Sequence, residues 1–104
     1  MKYLLVLLVV AFAMQDKTYQ KKFDNNELII HYSIMEEDGT RYMKGKIQRK
    51  SDEVNIPGMN IVAENNREGT VSNHLGEFRV VLLASSGNVK FTHNLFKTIE
   101  IKVK

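Results

Sequence analysis

From residue 27 onward the chain alternates apolar and polar side chains with a period of two, interrupted by clusters of turn-forming residues. At its end Ile99, Ile101 and Val103 alternate with Thr98, Glu100, Lys102 and Lys104, which predicts a strand with one apolar face. Val89, Phe91, His93 and Leu95 form a similar inward set against Asn88, Lys90, Thr92 and Asn94. Phe78, Val80 and Leu82 alternate with Arg79, Val81 and Leu83; apolar on both faces beyond Arg79, this run reads as a central strand. Met59, Ile61 and Ala63 stand opposite Asn60, Val62 and Glu64, and Met43, Gly45 and Ile47 opposite Tyr42, Lys44 and Lys46. Leu28 to Met35 is rich in β-branched residues, and Asp38-Gly39 after it predicts a hairpin whose loop Glu36 and Glu37 lengthen. No stretch sustains a helical period for three turns. About seven strands, punctuated at Pro57-Gly58, Arg67-Glu68-Gly69, Asn73 to Gly76 and Ser85 to Asn88, predict an all-β chain, a small antiparallel β-sandwich or barrel.

The N-terminus follows another rule. Residues 1–13, MKYLLVLLVVAFA, combine Lys2, an apolar core from Tyr3 to Phe12 and an Ala11-Phe12-Ala13 ending, the pattern of a cleaved signal peptide. A spanning helix needs about 18 apolar residues, and Gln15 and Asp16 interrupt this run earlier. Residues 14–26 are polar and aperiodic and are expected to form a flexible lead-in to a domain over 27–104. A free exported protein with no transmembrane segment in the mature chain is therefore expected, secreted or periplasmic and associated with the outer membrane.

Composition narrows the chemistry. The 104 residues carry a net charge of +3 and no cysteine, which excludes disulfides, thiol nucleophiles, thiolate metal sites and a lipid-anchored cysteine. Cleavage after Ala13 leaves 91 residues and a charge of +2. That size allows one small core and no large catalytic architecture.

From Lys44 to Lys104 the order of motifs carries more information. Gly45-Lys46-Ile47 is followed by Ile56-Pro57-Gly58-Met59-Asn60-Ile61, then by Gly69-Thr70-Val71-Ser72-Asn73-His74-Leu75-Gly76-Glu77-Phe78, and late by Asn94-Leu95-Phe96-Lys97-Thr98. This succession resembles the carboxypeptidase-regulatory-like domain, with the central ten-residue block its specific part. The resemblance implies a transthyretin-like (prealbumin-like) sandwich and a non-catalytic role, as an accessory beside peptidases or an N-terminal extension of TonB-dependent outer-membrane receptors. The family usually has Asp at the position of Asn73 and Gly-Tyr at Leu95-Phe96. The structural motif residues are then Gly45, Pro57, Gly69, Thr70, Asn73, Gly76 and Phe78. Gly69 is expected to reverse the backbone at positive φ, Gly76 to supply a left-handed residue, Asn73 to form an Asx turn and Phe78 to enter the core.

Competing chemistry is thinner. His74-Leu75-Gly76-Glu77 spells a zinc-carboxypeptidase pair with His93 as a third ligand, but Gly76 there serves the turn. His31 and His93 lie on strand-like runs and read as packed or rim residues. Hydroxyisourate hydrolase, an enzyme on the transthyretin fold, has a Tyr-Arg-Gly-Ser tail where this chain reads Ile101-Lys102-Val103-Lys104. The lysines, densest at Lys44, Lys46 and Arg49-Lys50 with Lys21-Lys22 upstream, are interspersed with acids, so a solvated strand face is expected rather than a nucleic-acid site. Asp38-Gly39 and Asn65-Asn66 could offer calcium oxygens, yet they lack EF-hand spacing and turn chemistry explains them. Lysines on Thr98 to Lys104 mark that strand as a guarded edge. The expectation is a binding module for an envelope protein or glycan, without cofactor or metal. A transport accessory is the second reading and a small hydrolase a distant third.

Overall fold

The computed structural model describes residues 19–103. The expected signal peptide and the first residues of the lead-in lie outside them. Within the described residues the strands are β1 (Lys21–Asp24), β2 (Leu28–Glu37), β3 (Thr40–Arg49), β4 (Asn60–Ala63), β5 (Thr70–Val71), β6 (Glu77–Leu82), β7 (Asn88–His93) and β8 (Phe96–Lys102). They form two antiparallel four-stranded sheets, ordered β1-β2-β3-β6 and β5-β4-β7-β8. The described residues are all-β and form a small sandwich.

The period-two alternation sets the core. Leu28, Ile30 and Tyr32 of β2, Met43 and Ile47 of β3, and Phe78, Val80 and Leu82 of β6 are buried, and meet Ile61 and Ala63 of β4, Val89 and Phe91 of β7, and Ile99 and Ile101 of β8 in one cluster. Phe78 and Phe91 bridge the sheets edge to face, with ring centroids 5.4 Å apart at 82°, the arrangement ring quadrupoles favour. The Arg41 guanidinium donates to the Val103 carbonyl at 2.5 Å and ties the first sheet to the end of the second.

Several expectations need correction. Lys21–Asp24, placed in a flexible lead-in, pairs with β2 from Lys21↔Tyr32 to Asp24↔Ile29. Its single apolar residue, Phe23, packs on the core, and the strand is held by main-chain pairing that leaves no periodic trace. The β2–β3 hairpin runs in register out to Glu37↔Thr40, so its loop is the pair Asp38-Gly39 alone, with φ of 52° and 79°. Glu36 and Glu37 extend the strand instead of the loop, because a two-residue turn with both φ positive matches the strand twist. β6 is an edge strand and not a central one: among the described residues it pairs with β3 only, and Val81 is 44% exposed. Leu95, expected to face inward, stands 77% exposed at the β7–β8 turn. A register shift between Phe91 and His93 breaks the alternation before it reaches Leu95. β8 does lie at an edge, as its lysines anticipated.

Candidate functional site

The motif residues divide into those that build a turn and those that make room. Asn73 organises the turn before β6: its Oδ1 accepts the amides of Leu75 (3.0 Å) and Glu77 (2.9 Å), while its own amide donates to the Glu77 carbonyl at 3.0 Å. Gly76 sits at φ 74°, buried, and a Cβ there would collide with the Ile47 carbonyl oxygen. Gly76 also accepts the Ile47 amide at 2.8 Å, so the turn is sewn to the end of β3. Gly45 stands in register with Phe78; a Cβ on it would lie 2.6 Å from the Phe78 ring and 2.5 Å from the His31 carbonyl oxygen. Gly69 is corrected: it is not among the glycines at positive φ. Space requires it, since a Cβ would approach the Ile61 carbonyl oxygen to 2.8 Å. Thr70 pairs with Ile61, and Pro57 is exposed after buried Ile56. The most deeply engaged polar residue of this block escaped the sequence reading. Buried Ser72 donates to the Ile56 carbonyl at 2.8 Å and accepts the Met59 amide at 2.9 Å; an isolated serine in a turn-rich stretch carries no signal of this.

The outer face of the first sheet carries the candidate site. Register places Lys22, His31, Lys46 and Glu77 in one row across it, and Ser33, Lys44 and Arg79 in the next. Tyr42 lies on this face yet is only 5% exposed, because the Arg79 guanidinium covers its ring at 3.9 Å from the centroid. The Tyr42 hydroxyl donates to Glu37 Oε2 at 3.1 Å. The Gln20 amide donates to Ser33 Oγ at 2.9 Å and brings Tyr19 over the same sheet. Between Tyr19, β3, β6 and the β5 edge runs an open groove of about 670 Å³, lined by Glu37, Lys44, Thr70, Val71, Asn73, Glu77 and Arg79. That volume falls within the usual range of ligand sites. Burial, reinforced by the nearby Glu77 carboxylate, holds the Tyr19 phenol above its ordinary pKa, so it remains a hydrogen-bond donor.

Charges on this face are underused. Among the described residues the ion pairs are Arg49–Asp52 at 2.7 Å and Lys50–Asp24 at 3.0 Å. Lys44 and Arg79, directly opposite on neighbouring strands, belong to neither. Like charges so placed repel. The alternation at Lys44 and Lys46 was legible as a basic strand face; Arg79 joins it only through the β3–β6 register.

Other singled-out residues are dispersed. His74 is exposed in the turn and Glu77 opens β6. His93 packs on Phe96 with centroids 5.2 Å apart, and its Nδ1 accepts the Leu95 amide at 3.1 Å. His31 is half-buried on the outer face. Among the described residues, no three His, Asp or Glu side chains converge as a metal would need. Asn66 Oδ1 accepts the Glu68 amide, and the Asn65 and Asn66 side-chain amides donate to the Ser85 and Val81 carbonyls. A second depression, about 240 Å³, lies on the outer face of the other sheet between Val62, Lys90 and Glu100. No helix among the described residues is long and apolar enough to cross a membrane. Comparison with protein-family models, curated proteins and solved structures found no match for the chain.

Proposed function

We propose that the protein is an exported, non-catalytic sandwich module that holds a protein or glycan at the cell envelope. One observation carries this reading: a groove on a rigid sheet face offers Arg79 and Lys44, cations without an ion-pair partner among the described residues. Sites on strands are held in place by their ladders, on both sides for Lys44 in β3 and on the β3 side for Arg79 in β6, which suits recognition. The order of motifs from Gly45 to Phe78, resembling the carboxypeptidase-regulatory-like domain, supports an accessory role. The secretory pattern of residues 1–13 supports the compartment.

The test is retention of envelope material by immobilised protein, compared with the Lys44→Gln/Arg79→Gln double variant. Specific retention by the parent, lost in the variant, is expected. Equal retention by both removes the groove as the binding surface. Turnover in peptidase or hydrolase assays with added zinc would overturn the non-catalytic assignment.

A further inference from the structure

The groove has an order of charge that discriminates among anionic ligands. Lys44 and Arg79 lie side by side in it, while carboxylates line it as well, Glu37 on β2 and Glu77 at the start of β6. A phosphate-rich polymer or an anionic lipid surface would press negative charge against both acids. A saccharide with one carboxylate per ring, spaced by neutral hydroxyls, meets the whole groove: one carboxylate on the cations, the hydroxyls around it donating to Glu37 and Glu77. Arg79 is suited to the first task. Its guanidinium lies over the Tyr42 ring with Cζ 3.9 Å from the centroid, and a planar fork takes a carboxylate with two parallel hydrogen bonds. Tyr42 is itself held by Glu37.

An extended acidic peptide is disfavoured by the strand edge. Peptides most readily join such a sheet by adding a strand, and the free edge of β6 is obstructed. Asn73 occupies the Glu77 amide and carbonyl, and the Asn66 side chain caps the Val81 carbonyl at 3.0 Å. Among the described residues this leaves little more than the Arg79 rung between them, too short for a ladder.

We infer, on the basis of the binding role proposed above, that this groove takes an acidic saccharide, with Arg79 and Lys44 holding the carboxylate of a uronate. Calorimetric titration of the protein with tetragalacturonate, maltotetraose and tetraglutamate tests it. Tetragalacturonate is expected to bind at least roughly tenfold more tightly than either of the others, the difference a charge-assisted hydrogen bond supplies. Arg79→Gln and Lys44→Gln are each expected to weaken it by about tenfold, and Lys102→Gln on the other sheet to leave it unchanged. Both groove residues are exposed, so their variants should melt within about 4 °C of the parent. Absence of tetragalacturonate binding, equal binding of tetraglutamate, or an equal loss with Lys102→Gln overturns the inference. If the saccharide fails while Arg79-dependent retention of envelope material persists, the acidic sugar is wrong and the module reading stands.

Discussion

Gly45 and Phe78 offer a sharp test of how the core is built. Phe78 is 5% exposed, meets Phe91 edge to face at 5.4 Å, and lies over the backbone of β3 at the position where Gly45 leaves room. Phe78→Ala removes the ring from both sheets and is expected to cost about 3–5 kcal/mol. For a domain of this size each kcal/mol moves the melting temperature by about 4–8 °C, so a fall of roughly 12 °C or more is expected. Gly45→Ala does the reverse, forcing a methyl to 2.6 Å from the Phe78 ring, an overpacking cost of about 1–3 kcal/mol. The two changes share one volume. In a Phe78→Ala background the ring contacts are gone while the His31 carbonyl oxygen at 2.5 Å still opposes the new methyl, so the loss from Gly45→Ala should shrink by roughly 1 kcal/mol. Urea denaturation of the four proteins measures this coupling, and Phe78→Leu keeps the comparison within the folded range if Phe78→Ala unfolds. A melting temperature within about 3 °C of the parent for Phe78→Ala, or strict additivity in the cycle, would refute the packing argument.

Ser72→Ala leaves the Met59 amide and Ile56 carbonyl without their shared partner in a buried place, for an expected loss of about 1–3 kcal/mol by chemical denaturation. Ser72→Thr, which retains the hydroxyl, separates this effect from packing. Asn73→Ala removes the acceptor of two amides and should cost about 1–2 kcal/mol, whereas Asn73→Asp should lose far less; equal losses would contradict the Asx-turn assignment. Asp52 is held below its ordinary carboxylate range by the hydrogen bond from Arg49, with the Val54 amide adding to it. A depressed folded-state value means that the contribution is complete above the unfolded value near 3.8 and is lost as pH falls through the lower folded one. Asp52→Asn should therefore reduce the difference in melting temperature between pH 6 and pH 2, by a small amount because the pair is exposed. An unchanged acid limb would show that the pair contributes nothing.

The fold was legible where one residue decides its own environment. Alternation identified the strands because a period of two puts one set of side chains on the core whichever neighbour the strand acquires. The block from Gly69 to Phe78 revealed its turn because Asn73 and Gly76 act through local hydrogen bonds and a local φ. β1 was invisible because its stabilisation is main-chain pairing, to which Lys21, Lys22 and Asp24 contribute no pattern. β6 was misplaced because Val81 and Leu83 imitate burial on both faces; its place at an edge depends on where β4, β7 and β8 fold.

By itself the sequence determined an all-β chain, a single small core, the absence of cysteine chemistry, and the turn residues Asn73 and Gly76. Tertiary structure alone decided which strands are neighbours, and with that the groove. Lys44 and Arg79 are 35 residues apart in the chain and meet only because β6 pairs with β3 in one register. Hydrophobic patterning specifies which face of a strand turns inward, whereas the identity of the neighbour on the outer face is set by register. Outer-face partners leave no signature in either segment alone.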